Sequence, residues 1–179
     1  MPFLPGIGPF SESVATSLVL KQMAEQDAPS YADHLCAVSY IDTPRKKCDV
    51  AIGVSPNWEW CIEIKLLRLL GDNGKPNDNM LMHILSPYEE HRSALTDCAK
   101  LLASGLPGRK AILIYGFSSE TWPLGPAIDA FEALASAHHA IGSRNVCEFK
   151  ELVHPVHAEG AVFGWELGVA SEDMANGSG

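Results

Sequence analysis

The twenty residues from Cys48 to Leu67 constrain the fold more than any other part of the chain. CDVAIGV and WEWCIEIKLL are apolar and rich in β-formers, and the SPN between them, residues 55–57, is a turn signal of hairpin length. Side chains alternate across a strand. Trp58, Trp60, Ile62, Ile64 and Leu66 therefore share one face, and Glu59, Cys61, Glu63 and Lys65 share the other. The first face is expected to be core. The second sets two ionisable groups two residues apart in a strand whose composition places it inside a sheet, where charge is costly unless paired or bound to metal.

Around this hairpin the chain alternates helices and strands. Residues 11–26 carry apolar side chains at 14, 15, 18, 19 and 23, a helical stripe with Ser11 or Ser13 to cap it. HLCAVSYI, residues 34–41, reads as a strand, and GDNGKPNDNM, residues 71–80, as a loop able to close over a substrate. Ser86, Pro87 and Glu89 form a capping-box pattern that predicts a helix from that point, closed by Gly105 and Pro107. Its stripe of Tyr88, Arg92, Leu95, Ala99 and Leu102 places Arg92 on the inward face. KAILIYGF, 110–117, reads as a strand covered on both sides, residues 125–140 as an amphipathic helix, and NVCEFKELV and GAVFGWELGV as late strands. The fold class expected is α/β, a mixed central sheet flanked by helices on both faces.

The length, 179 residues, and the 46% hydrophobic content suit one domain over 1–179, with a flexible tail at 171–179. The apolar start is broken by prolines and lacks a basic leader, and no apolar run approaches a membrane span, so a cytoplasmic protein without a membrane partner is expected. Five cysteines, at 36, 48, 61, 98 and 147, show no zinc-type spacing, and their odd number argues for reduced thiols. The net charge of −9 disfavours nucleic acid as a whole-surface partner. Residues 45–110, however, hold ten basic against eight acidic side chains, so a phosphate-facing surface is expected mid-chain, with Lys47 beside Arg45 and Lys46 as backbone contacts.

Asp49 opens one strand of the hairpin, and Glu63 with Lys65 stands on the next. Two carboxylates on neighbouring strands can hold a hard divalent cation, Mg²⁺ or Mn²⁺, with the Ile64 carbonyl between them as a further ligand. A lysine held beside that ion can orient or deprotonate a water and offset charge on a phosphoryl transition state.

Asp49, a gap of thirteen residues, and then Glu63-Ile64-Lys65, set in a helix-strand-strand-strand-helix-strand order, resembles the PD-(D/E)XK nuclease superfamily. The resemblance covers about residues 10–117 and implies a restriction-endonuclease-like α-β-β-β-α-β core there, with 118–170 a family-specific helix and strand extension. It further implies that Asp49 and Glu63 bind Mg²⁺, that Lys65 serves the attacking water, and that a glutamate of the first helix assists. Glu12 is the first choice for that glutamate and Glu25 the second. Cys48 stands where the family pattern has proline, and Tyr88 and Arg92 stand where members related to RecB carry glutamine and tyrosine. Arg92, Lys47 and Tyr88 are the residues expected to face substrate.

The function implied is a Mg²⁺-dependent nuclease, acting on DNA first, in a restriction, repair or defence system, completed by a homodimer or a partner protein. The alternative is an inactive scaffold or interaction subunit of a larger complex, in which Glu63 and Lys65 merely pair. A second E-x-K, Glu148-Phe149-Lys150, lacks an aspartate a hairpin upstream and is expected to be a chance copy. His154 and His157 straddle Pro155 with no third ligand near them in sequence, and are expected to be ordinary loop or strand histidines.

Overall fold

The computed structural model describes residues 12–26, 33–77 and 79–169. Its elements in order are α1 (Glu12–Gln26), β1 (His34–Ser39), β2 (Lys47–Val54), β3 (Asn57–Arg68), α2 (Met82–Leu85), a 3₁₀ turn (Glu89–His91), α3 (Ala94–Leu102), β4 (Arg109–Ser118), α4 (Gly125–His138), β5 (Asn145–Phe149) and β6 (Glu159–Leu167). The six strands form one sheet in the order β1-β2-β3-β4-β6-β5. It is mixed: β3 and β4 run parallel, and every other neighbouring pair is antiparallel. The α/β class and the mixed sheet expected from sequence are therefore present. Parallel pairing of β3 with β4 requires a crossover, which α2 and α3 supply.

The hairpin of β2 and β3 closes on Ser55 and Pro56, with Val54 opposite Asn57. Its faces differ from simple alternation. The register shifts where Ile52 pairs with Trp60 but Gly53 pairs with Trp58, leaving Glu59 as the extra residue of a bulge. Gly53 sits there at φ +108°, where an added Cβ would stand 2.9 Å from the Glu59 nitrogen. Trp58 is consequently turned away from Trp60. It joins the large core beneath α2, α3 and α4, whereas Trp60, Ile62 and Ile64 gather with Val50, Ile52 and Leu20 of α1. The more deeply buried side of β3 is also the reverse of the expectation: Cys61, Glu63 and Leu67 are almost fully covered, while Trp60, Ile62, Ile64 and Leu66 are only half-buried.

The helix after the loop starts later than its capping box suggests. Ser86 spends its hydroxyl on the Tyr88 N–H, 3.2 Å away, and on Nδ1 of His91 at 2.6 Å. Arg92 then adopts a left-handed conformation, φ +47°, which stops any helix begun at Ser86. Ser93 is the true cap, accepting the Thr96 N–H at 3.2 Å, and the inward residues of α3 become Ala94, Asp97, Cys98 and Leu101. Arg92 and Tyr88 are exposed, so neither lies on an inward stripe.

Among the described residues, no helix is long and apolar enough to cross a membrane.

Candidate functional site

Asp49 and Glu63 meet because β2 and β3 are paired at this point. A carboxylate oxygen of Asp49, Oδ2, accepts the Ile64 N–H at 2.8 Å, which fixes Asp49 beside Glu63. Cys48, at the position where the resemblance has proline, packs its sulfur 3.1 Å from the Val50 carbonyl and 3.2 Å from that of Ile62, so it locks the start of β2 onto β3.

Glu63 is 1% exposed. Its Oε1 accepts the Tyr40 hydroxyl and lies 3.4 Å from the Lys100 ammonium. Lys100 also donates to Asp97 Oδ1 at 2.6 Å, and Lys65 reaches Asp97 Oδ2 at 2.6 Å. Asp97 is thus clamped between two lysines, one from the strand and one from a turn further along its own helix. Because α3 packs on β3 and β4, its inward Asp97 and Lys100 complete the cluster that Asp49, Glu63 and Lys65 begin.

The electrostatics follow from burial and from the count of charges. Three carboxylates and two ammonium groups leave one negative charge over in a poorly solvated place. Burial first, and then the charges of Asp49 and Asp97 with a hydrogen bond to Asp49, push the Glu63 carboxyl up to about 9, against a smaller opposing pull from Lys100. Burial works against the charge on Lys100, but Glu63 and Asp97 outweigh it and the net shift is upward. Burial and the Glu63 carboxylate likewise raise the Tyr40 phenol, so it stays a donor.

A proton on Glu63 is one way to settle the excess charge; a divalent cation is another. The donors at Asp49 and Glu63 are carboxylate oxygens, the chemistry that Mg²⁺ and Mn²⁺ require, so this pair fits such an ion, while both oxygens of Asp97 are taken by lysines. Partial exposure of the Lys65 and Lys100 side chains, 16% and 24%, leaves the cluster a way out to solvent.

The other residues expected at the site divide. Ile64 lies between Glu63 and Lys65 and holds Asp49 through its N–H. Glu12 opens α1, but its side chain lies outside the described residues, as does the tail at 171–179. Glu25 is exposed and accepts from Gln22 at 2.7 Å. Lys47 is exposed at the start of β2, and Lys46 pairs with Glu89 at 3.6 Å. Glu148 and Lys150 of the second E-x-K are exposed at the sheet's edge by β5.

Asp97, Lys100 and Tyr40 are members of the cluster that sequence reasoning did not single out. The missing signal was the start of α3. Counting from Ser93 puts 94, 97, 98 and 101 on one face and shows a buried aspartate among apolar neighbours. A second group was also passed over. His154 and His157 lie close to Asp72 of the loop after β3, with one ligand atom of each within 4.8 Å of the others.

Compared with protein-family models, with curated proteins and with solved structures, the chain matches none.

Proposed function

We propose that the chain is a Mg²⁺- or Mn²⁺-dependent nuclease of restriction-endonuclease-like architecture that hydrolyses phosphodiester bonds, DNA first among its substrates. The observation that carries this reading is the convergence of Asp49, Glu63 and Asp97 with Lys65 and Lys100 at one place, where Glu63 is held at a charge state that a cation would change. Asp49 and Glu63 are the residues that would hold the ion, and water or substrate oxygens would complete its shell. The chemistry such an ion supplies is Lewis acidity toward the phosphodiester and activation of a water.

The protein's own groups have definable roles on this reading. Asp97 positions the Lys65 ammonium, and Lys65 aligns the attacking water and offsets negative charge on the phosphoryl oxygens in the transition state. Lys100, bonded to both Asp97 and Glu63, couples the helix to the metal-binding carboxylate. The surface that meets the nucleic-acid backbone is the mid-chain region with Lys47 and the exposed Arg92 and Tyr88. Since the whole chain is strongly acidic, a second copy or a partner protein completes the groove.

One observation favours a different reading, an interaction subunit with a sealed ionic core. Glu63 is almost wholly buried, and every charged member of the lysine–carboxylate cluster already has a partner. Metal-dependent stability separates the two. An ion bound only by the native state stabilises it by mass action, so Mg²⁺ or Mn²⁺ at tenfold over its dissociation constant should raise Tm by about 3–6 °C. Asp49→Ala should lose that rise. Absence of a rise in the wild type at millimolar metal would favour the sealed core.

A further inference from the structure

We infer that Asp72, His154 and His157 form a cation site, separate from the carboxylate cluster, that takes a divalent transition-metal ion of the zinc class and ties the loop after β3 to the loop before β6. The three residues come from two loops distant in sequence, yet one ligand atom from each lies within 4.8 Å of the other two. Nε2 of His157 stands 3.4 Å from Oδ1 of Asp72. That is beyond the usual range of an N–H···O hydrogen bond, which ends near about 3.2 Å. It is the spacing of two ligands on one tetrahedral ion: bonds of about 2.0–2.1 Å set them about 3.3–3.4 Å apart.

The donors also choose the ion. Two imidazoles and one carboxylate suit zinc, cobalt or nickel, whereas the oxygen-only donors near Asp49 and Glu63 suit Mg²⁺. Three protein ligands leave a fourth position for water or a further ligand.

The supports are in place around the ligands. The two imidazoles stack with centroids 4.6 Å apart, His157 packs on Phe117 at 4.9 Å, and both histidines are buried or nearly so. Arg68 donates to Asp72 Oδ1 at 3.1 Å, the kind of outer contact that holds a ligating carboxylate in orientation. Nδ1 of His154 accepts the N–H groups of Val156 and His157 at 3.1 and 3.0 Å, so coordination falls to its Nε2, and the ring proton there moves to Nδ1 with loss of those two bonds. The Arg68 charge and those two bonds oppose uptake.

The test is titration of the EDTA-treated full chain with Zn²⁺, followed by calorimetry and thermal melting, and with Co²⁺, followed by its visible absorption. One equivalent should bind, Tm should rise by about 5–10 °C at 100 times the dissociation constant, and Co²⁺ should show tetrahedral bands. Asp72→Asn, a change on an exposed loop, should weaken uptake at least tenfold. Asp49→Ala should leave it intact. Long-range ¹H–¹⁵N spectra should show the Nε2 signals of both His154 and His157 moving on loading. The inference is overturned by no saturable uptake in the wild type, by uptake unchanged in Asp72→Asn, or by loss in Asp49→Ala, which would place the ion in the carboxylate cluster instead.

Discussion

Replacing Asp97 by alanine is expected to lower stability by about 3 kcal/mol, a fall in Tm of about 6–12 °C for a chain of this size. The side chain is 2% exposed and is the only carboxylate that both Lys65 and Lys100 contact at 2.6 Å among the described residues. Its removal takes from two part-buried ammonium groups the carboxylate that each contacts at 2.6 Å. Lys65→Met should cost less, since Asp97 then keeps its contact with Lys100 at 2.6 Å. Urea unfolding of the two single variants and the double variant measures the difference. The coupling between positions 65 and 97 should be at least about 1 kcal/mol. Equal small losses from both, with no coupling, would mean that the cluster is solvated and the ion pairs carry little.

Glu63→Gln should do the opposite and stabilise the chain in the absence of divalent ions. A carboxyl whose folded value is raised to about 9 keeps its proton in the native state but loses it on unfolding near its ordinary value of about 4.5. Its contribution is therefore fully present below about pH 4.5 and is lost progressively as pH rises toward about 9. By linkage the loss reaches about 3 kcal/mol at pH 7. Glutamine keeps the shape and an acceptor for Tyr40 and Lys100 but has no proton to lose. In EDTA the wild type should lose stability between pH 5 and 9 relative to Glu63→Gln, and the two should converge near pH 4. Adding Mg²⁺ should recover much of the wild type's deficit and none of the variant's. Parallel pH profiles for the two proteins would show that Glu63 ionises normally in the native state.

Much of this was legible in the sequence, and what was not has particular causes. The alternation in WEWCIEIKLL placed Glu63 and Lys65 on the same strand, and the hairpin signal placed Asp49 on its neighbour. The depth of burial was misjudged, because aliphatic composition named the Trp60-Ile62-Ile64 side as core. In the structure that side meets, among the described residues, Leu20 of α1 and the Arg109 guanidinium, while the side with Glu63 lies under α3. Alternation also failed at Trp58, since a bulge has no periodic signature and Gly53 alone hints at it. Ser86-Pro87 imitated a helix start and shifted the α3 stripe, which hid Asp97 and Lys100 and promoted Arg92. Asp72 could not be joined to His154 and His157 without the sheet that brings their two loops together.

The most direct measurement of the proposed activity is cleavage of plasmid, linear duplex DNA, single-stranded DNA and RNA by the full chain in Mg²⁺ or Mn²⁺, against Asp49→Ala and Lys65→Ala. The expected result is metal-dependent cutting of at least one substrate by the wild type, abolished by EDTA and reduced at least about a thousandfold in both variants while they remain folded. Cutting that persists in folded Asp49→Ala or Lys65→Ala, or no cutting of any substrate by a wild type that binds Mg²⁺ at Asp49 and Glu63, would contradict it.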